Sequence, residues 1–176
     1  MDIPMTRLAH MSDRMFEAID SNNADYICWE DMARLADTYQ HVFEVPETDR
    51  RAQALKACYR MYWMELLRHA GGIDRLDKDH FRLGNYAASV DTSRFNLTDG
   101  LTSAIFDVID LDATGKITRD DFEQHFRIWC NGAPDSSLYD RLDVDADGYL
   151  TRQAFIRAMR ELYFAANFEN LLTTAF

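Results

Sequence analysis

The sequence predicts an all-α protein made of four helix–loop–helix units arranged as two pairs. Three observations predict it. Apolar residues recur at helical spacing through most of the 176 residues; the three prolines and seven glycines fall between those patterns; and two acidic loops of similar composition begin 33 residues apart, at Asp110 and Asp143.

A first helix is expected over about Thr6–Ile19, with Leu8, Met11, Met15, Phe16 and Ile19 on one stripe. A second runs from Trp29 to Phe43 and stops before Pro46. Thr48 or Asp49 caps a third that reaches His69, and a fourth covers Asp77 to Val90. Asp91–Arg94 reads as a linker, dividing the chain into an N-terminal pair (1–92) and a C-terminal pair (93–176). The second half repeats the plan, with helices near Thr98–Ile109, Arg119–Cys130, Ser136–Leu142 and Arg152–Phe164. A tail follows, with Phe168, Leu171, Leu172 and Phe176 at helical spacing. It is expected to dock on a compact body.

Composition excludes several classes. With 47% hydrophobic and 12% aromatic residues the chain has ample material for a core. A net charge of −11 argues against nucleic acid, which selects basic surfaces. No apolar run approaches the roughly 20 residues needed to span a bilayer. The N-terminus lacks the basic region and apolar stretch of a signal peptide, so the chain reads as cytoplasmic; a monomer is expected. Cys28, Cys58 and Cys130 form no CxxC or Cys/His spacing and read as reduced, partly buried thiols.

The two acidic loops carry the chemistry. One offers Asp110, Asp112, Thr114, Gly115, Lys116, Ile117, Thr118 and Asp121 at positions one, three, five, six, seven, eight, nine and twelve; the other offers Asp143, Asp145, Asp147, Gly148, Tyr149, Leu150, Thr151 and Ala154. Both fit the D-x-D-x-[DST]-G-x-[IL] pattern of an EF-hand loop. Ca²⁺ takes 6–8 hard oxygens at about 2.3–2.6 Å, which a curling chain supplies from positions one, three and five, the backbone carbonyl of position seven and a closing carboxylate at twelve. Glycine at six allows the positive φ of the turn. The apolar residues at eight, Ile117 and Leu150, are placed to face each other across a paired lobe. Phe122 and Phe155 follow the two loops and start helix stripes.

On these residues the chain resembles the sarcoplasmic calcium-binding proteins, calerythrin-like members included. It is similar in layout to the aequorin-like photoproteins and luciferin-binding proteins. The shared features are four hands in a chain of this length, a stretched first pair and Asp rather than Glu at position twelve. The resemblance implies a calcium-binding protein, sensor or buffer, with the third hand as main site through Asp110, Asp112, Thr114, the Lys116 carbonyl, Thr118 and Asp121. Asp121 is one methylene shorter than Glu, so the third loop admits Mg²⁺ as well as Ca²⁺. In the fourth, Ala154 removes both closing oxygens. Asp143, Asp145, Asp147, the Tyr149 carbonyl and Thr151 remain, for weak Ca²⁺ or a hydrated Mg²⁺-like ion. The first loop, Asp20–Asp31, has Ala24 where a ligand belongs and Asp25 where the turn glycine belongs. The second, His69–His80, lacks ligands and is expected to pair Leu76 with Ile27.

The stretch Ala57–Leu67 is apolar nearly all round and is expected to be buried on most sides. Met11, Met15, Tyr59, Tyr62, Trp63, Trp129, Met159 and Tyr163 then form either an ordinary two-lobe core or, as in the luciferin-binding relatives, a cavity for an apolar small molecule. A partner helix is the other candidate guest of an apolar groove. No GxSxG, Walker, GxGxxG or HExxH motif occurs, and the five histidines read as surface or capping residues. Catalysis is not expected, and chemistry within a cavity is the alternative.

Overall fold

The computed structural model describes residues 11–71, 74–90, 97–130, 132 and 136–162. Its helices are α1 (Met11–Ile19), α2 (Trp29–Val42), α3 (Arg50–His69), α4 (Lys78–Val90), α5 (Leu97–Ile109), α6 (Arg119–Cys130) and α7 (Ser136–Leu142), with α8 over residues 152–162. The start of the first helix before Met11, the linker Asp91–Arg94, and the tail from residue 163 onward with its expected docking lie outside the described residues. No helix among the described residues is long and apolar enough to cross a membrane.

The helix starts follow from local chemistry. Asp49 accepts the Arg51 N–H at 2.8 Å and caps α3, and Asp77 accepts the His80 N–H at 2.9 Å at the head of α4. At α6 the cap is reciprocal: Thr118 N–H donates to Asp121 Oδ2 at 2.9 Å and Asp121 N–H donates to Thr118 Oγ1 at 3.2 Å. Thr151 accepts the Ala154 N–H at the start of α8, but alanine has no side chain to return the bond.

Position eight joins the loops in pairs, as expected. Strands β1 (Lys116–Thr118) and β2 (Tyr149–Thr151) run antiparallel with Ile117 opposite Leu150. In the first half the pairing shrinks to one bridge, in which Ile27 and Leu76 exchange N–H···O bonds of 2.8 and 2.9 Å. All four of these side chains are at most 1% exposed. The two pairs share one core: α3 makes its most extensive contact with α5, and α1 and α2 both pack on α6.

The expectation that the Ala57–Leu67 stretch is buried on most sides is corrected. Tyr59, Tyr62, Trp63 and Leu66 are buried, but Met61 and Met64 are 50% and 61% exposed. Ala57, Arg60, Met61 and Met64 follow an i, i+3, i+4, i+7 course, one solvent face of a helix whose neighbours cover only the opposite side.

His125 also departs from expectation. It is not a surface residue but fully buried where α2, α6 and α8 meet. Its Nδ1 lies 2.8 Å from the Tyr39 hydroxyl and its Nε2 3.4 Å from the Met159 sulfur, with the ring stacked on Trp129 and edge-on to Phe155. A thioether only accepts, so Nε2 carries the proton and Nδ1 accepts from Tyr39. Burial pushes the imidazole down to about 3. An unfolded chain protonates His125 near 6.5 while the folded chain does not, so stability is lost as pH falls through that window. Between pH 7 and 5 the wild type is expected to lose about 2 kcal/mol more than His125→Gln in urea denaturation. Equal losses in both proteins would refute a neutral buried imidazole.

Candidate metal centre

In three of the four loops an aspartate at position one accepts two backbone N–H groups and so sets the curl of the chain. Asp20 takes those of Ala24 and Asp25 at 2.9 and 3.0 Å; Asp110 takes those of Thr114 and Gly115, both at 2.9 Å; Asp143 takes those of Asp147 and Gly148 at 3.2 and 2.9 Å. The curl needs positive φ at two positions. Position six holds Asp25 (φ 61°), Gly115 (77°) and Gly148 (85°), and position four holds Asn23 (53°), Ala113 (55°) and Ala146 (53°). The second demand was missed in the sequence, because alanine gives no sign of a left-handed conformation.

In the third loop three of the six expected ligand atoms lie near one another. Thr114 Oγ1 lies 3.1 Å from Asp110 Oδ1 and 3.2 Å from the Lys116 carbonyl. Asp112 is exposed at the rim, and Thr118 and Asp121 face each other through their capping bonds at the far end of the loop. Outside the loop, Arg51 at the head of α3 donates to the Leu111 carbonyl at 2.8 Å and is held by Asp49, whose carboxyl that guanidinium keeps down at about 2. This tie between the first half and the third loop has no signature in the sequence.

In the fourth loop Asp143, Asp145 and Asp147 bring one carboxylate oxygen each within 4.8 Å of the others, the one such group of metal-capable side chains among the described residues. Asp147 Oδ1 accepts the Tyr149 N–H at 2.9 Å, and its Oδ2 meets the Lys116 ammonium at 2.5 Å. Tyr139 anchors the turn by donating to the Gly148 carbonyl at 2.8 Å, while burial pushes its phenol up to about 12. Thr151 sits exposed at the cap of α8.

The first loop already contains a cation. Arg34 donates to Asp31 Oδ1 at 2.5 Å and to the Ile19 carbonyl at 3.1 Å, while Asp31 Oδ2 accepts the Cys28 N–H and thiol at 2.9 and 3.2 Å. Asp31, at closing position twelve, is 4% exposed and spoken for. Desolvation raises the Cys28 and Cys130 thiols to about 11, which leaves both protonated and poorly nucleophilic.

The residues proposed for an apolar interior do lie inside. Met15, Tyr59, Tyr62, Trp63, Trp129 and Met159 are all buried in the shared core; the side chains of Met11 and Tyr163 lie outside the described residues. Tyr59, Trp129 and Met159 gather around the Tyr39–His125 pair, whereas the Tyr62 hydroxyl turns away to Asn85.

A scan of protein-family models finds no match, and neither does a search of curated proteins. Solved structures do match. A Streptomyces coelicolor calcium-binding protein, described for prokaryotic calcium-mediated regulation, superposes with a TM-score of 0.71 at 21% identity over 92% of this chain and 98% of its own. Calcium-loaded apo-aequorin from Aequorea victoria gives 0.72 at 17% identity, over 90% and 91%. The coelenterazine-binding protein of Renilla muelleri, in its calcium-loaded apo form, gives 0.58 at 14% identity, over 92% and 90%. At these identities the likeness shows the fold. It is the four-hand EF-hand fold in the layout of the aequorin-like photoproteins.

The loop geometry carries its own prediction. A Cβ at Gly115 meets no atom within 4 Å, so Gly115→Ala costs only the backbone penalty of φ 77°. Chelator-treated Gly115→Ala is expected to be less stable by about 1 kcal/mol, a fall in Tm of about 3 °C by calorimetry.

Proposed function

We propose that this chain is a Ca²⁺-binding protein whose main site is the third loop, formed by Asp110, Asp112, Thr114, the Lys116 carbonyl, Thr118 and Asp121. The observation that carries the reading is that the Thr114 hydroxyl lies 3.1 Å from Asp110 Oδ1 and 3.2 Å from the Lys116 carbonyl, which brings three of the six proposed donors to one end of the loop. The donor set is all oxygen, which suits a hard cation and excludes a thiolate-loving one. The Ca²⁺ named in the Streptomyces and Aequorea structures supports the same ion here. The fourth loop, with Asp143, Asp145, Asp147, the Tyr149 carbonyl and Thr151, is a second and weaker site. It lacks a closing carboxylate and shares Asp147 with an ammonium. Both loops admit Mg²⁺, which keeps its own waters and asks for fewer protein oxygens.

Calorimetric titration is expected to find one site clearly tighter than any other, weakened more than tenfold, or about 1.4 kcal/mol, in Asp110→Ala. Tight binding that survives this change would remove the third loop from first place.

The packing supports a closed scaffold rather than a sensor that opens. A sensor of the calmodulin kind exposes an apolar groove when its helices swing apart. Here α2 and α6 are joined by the buried Tyr39–His125 bond and by the aromatic rings packed around it, and opening would expose that apolar surface to water. The intact protein is therefore expected to bind little additional hydrophobic dye on addition of Ca²⁺. A large Ca²⁺-dependent rise would favour an opening sensor that takes a partner helix. The aromatic interior around His125, and the coelenterazine named for the Renilla protein, support a second reading in which the scaffold holds an apolar small molecule. Native mass spectrometry of the purified protein tests it through a co-purifying mass.

A further inference from the structure

The fourth loop contains a positive charge that none of its own ligands explains. Lys116 belongs to the third loop, at position seven, where its carbonyl is counted among the oxygens of that site. Its side chain leaves in the opposite direction. The β1–β2 register sets Lys116 opposite Thr151 and so brings the side chain over the neighbouring loop. There the ammonium is seated between two groups of the fourth loop, Asp147 Oδ2 at 2.5 Å and the face of the Tyr149 ring at 5.3 Å from its centroid. Asp147 is position five of that loop, and its carboxylate is one of the three that converge. An ammonium and a divalent cation cannot share this carboxylate without repelling each other at a separation of a few ångströms.

We propose that Lys116 is a tethered competitor for the fourth site, so that a metal ion enters the Asp143–Asp145–Asp147 cluster only by displacing its ammonium. The inference rests on the reading of the fourth loop as a metal site. It adds that a residue of the third loop controls how readily the fourth fills. One residue thereby serves two sites with opposite effect, its carbonyl favouring a cation in the third loop and its ammonium opposing one in the fourth. The two loops then respond over different ranges of metal concentration. The first loop has a parallel in the Arg34 guanidinium on Asp31, but there the carboxylate is only 4% exposed and also accepts the Cys28 N–H and thiol. The Lys116 seat is open to solvent: its side chain is 43% exposed and that of Asp147 36%, so the ammonium can leave.

Two backbone amides report the loops separately, because Gly115 N–H bonds to Asp110 and Gly148 N–H bonds to Asp143. In a Ca²⁺ titration of the full chain followed by amide NMR, the ratio of the Gly148 midpoint to the Gly115 midpoint is expected to fall about fivefold in Lys116→Met, the strong end of an exposed ion pair. A charge effect acting through solvent would shift the Gly148 midpoint without changing how accessible the Lys116 amine is, and the second readout separates the two. In the wild type, acylation of Lys116 by an activated ester is expected to rise as Gly148 responds, against Lys56 and Lys78 in the same digest. A fixed ratio, or Lys116 labelling that stays level while Gly148 moves, overturns the proposal and leaves Ca²⁺ binding intact. Movement of Gly115 alone in both proteins overturns the proposal and the fourth site while sparing the third. No movement of either amide removes the Ca²⁺ reading itself.

Discussion

Three loops of this chain are shaped by a single kind of contact, in which the carboxylate at position one accepts backbone N–H groups from positions five and six. Asp20, Asp110 and Asp143 each do this with both oxygens at 2.9–3.2 Å. Once the loop is drawn tight, positions four and six are forced to positive φ. The residue at position eight then emerges in extended conformation, ready to pair with the neighbouring loop, as Ile117 does with Leu150 and Ile27 with Leu76. Pairing brings two hands together back to back and buries those side chains. The helices that leave the loops are thereby aimed at a common core, with Phe122 and Phe155 fully buried in edge-on contact.

Such loops concentrate negative charge, and in this protein the charge is answered in different ways. The first loop holds the Arg34 guanidinium against its closing carboxylate, a contact made through a nearly buried oxygen. The fourth shares the Lys116 ammonium, held loosely at the surface. The third has no cationic side chain on its carboxylates among the described contacts, and Arg51 touches it only through the Leu111 carbonyl. A resident cation lowers the attraction of a site for an incoming one.

The packing of the two pairs of hands onto each other constrains what binding can do. Tyr39, His125 and Met159 form a buried polar thread through the core, with each hydrogen-bonding group satisfied by the next. The thread is wrapped by Trp129 and Phe155, so separating α2 from α6 would expose apolar ring surface as well as break the hydrogen bond. The face of α3 that carries Met61 and Met64 is exposed to solvent.

How much of this was legible in the sequence depends on the range of the interaction. The helical periods, a cap at Thr48 or Asp49, the loop positions and the pairing of Ile117 with Leu150 are governed by contacts within a few residues or by a strict repeat. They could be read directly from residue type and spacing. What tertiary structure alone decided involves residues far apart in the chain. His125 looked like a surface histidine until α2 and α8 closed over it, because nothing local marks a histidine whose partners are 86 and 34 residues away. The stretch around Met61 looked buried on most sides because composition cannot tell which face of an apolar helix its neighbours will cover. Lys116 looked like a backbone ligand and nothing more, since the carboxylate it meets, 31 residues on, comes within reach only when the two loops pair.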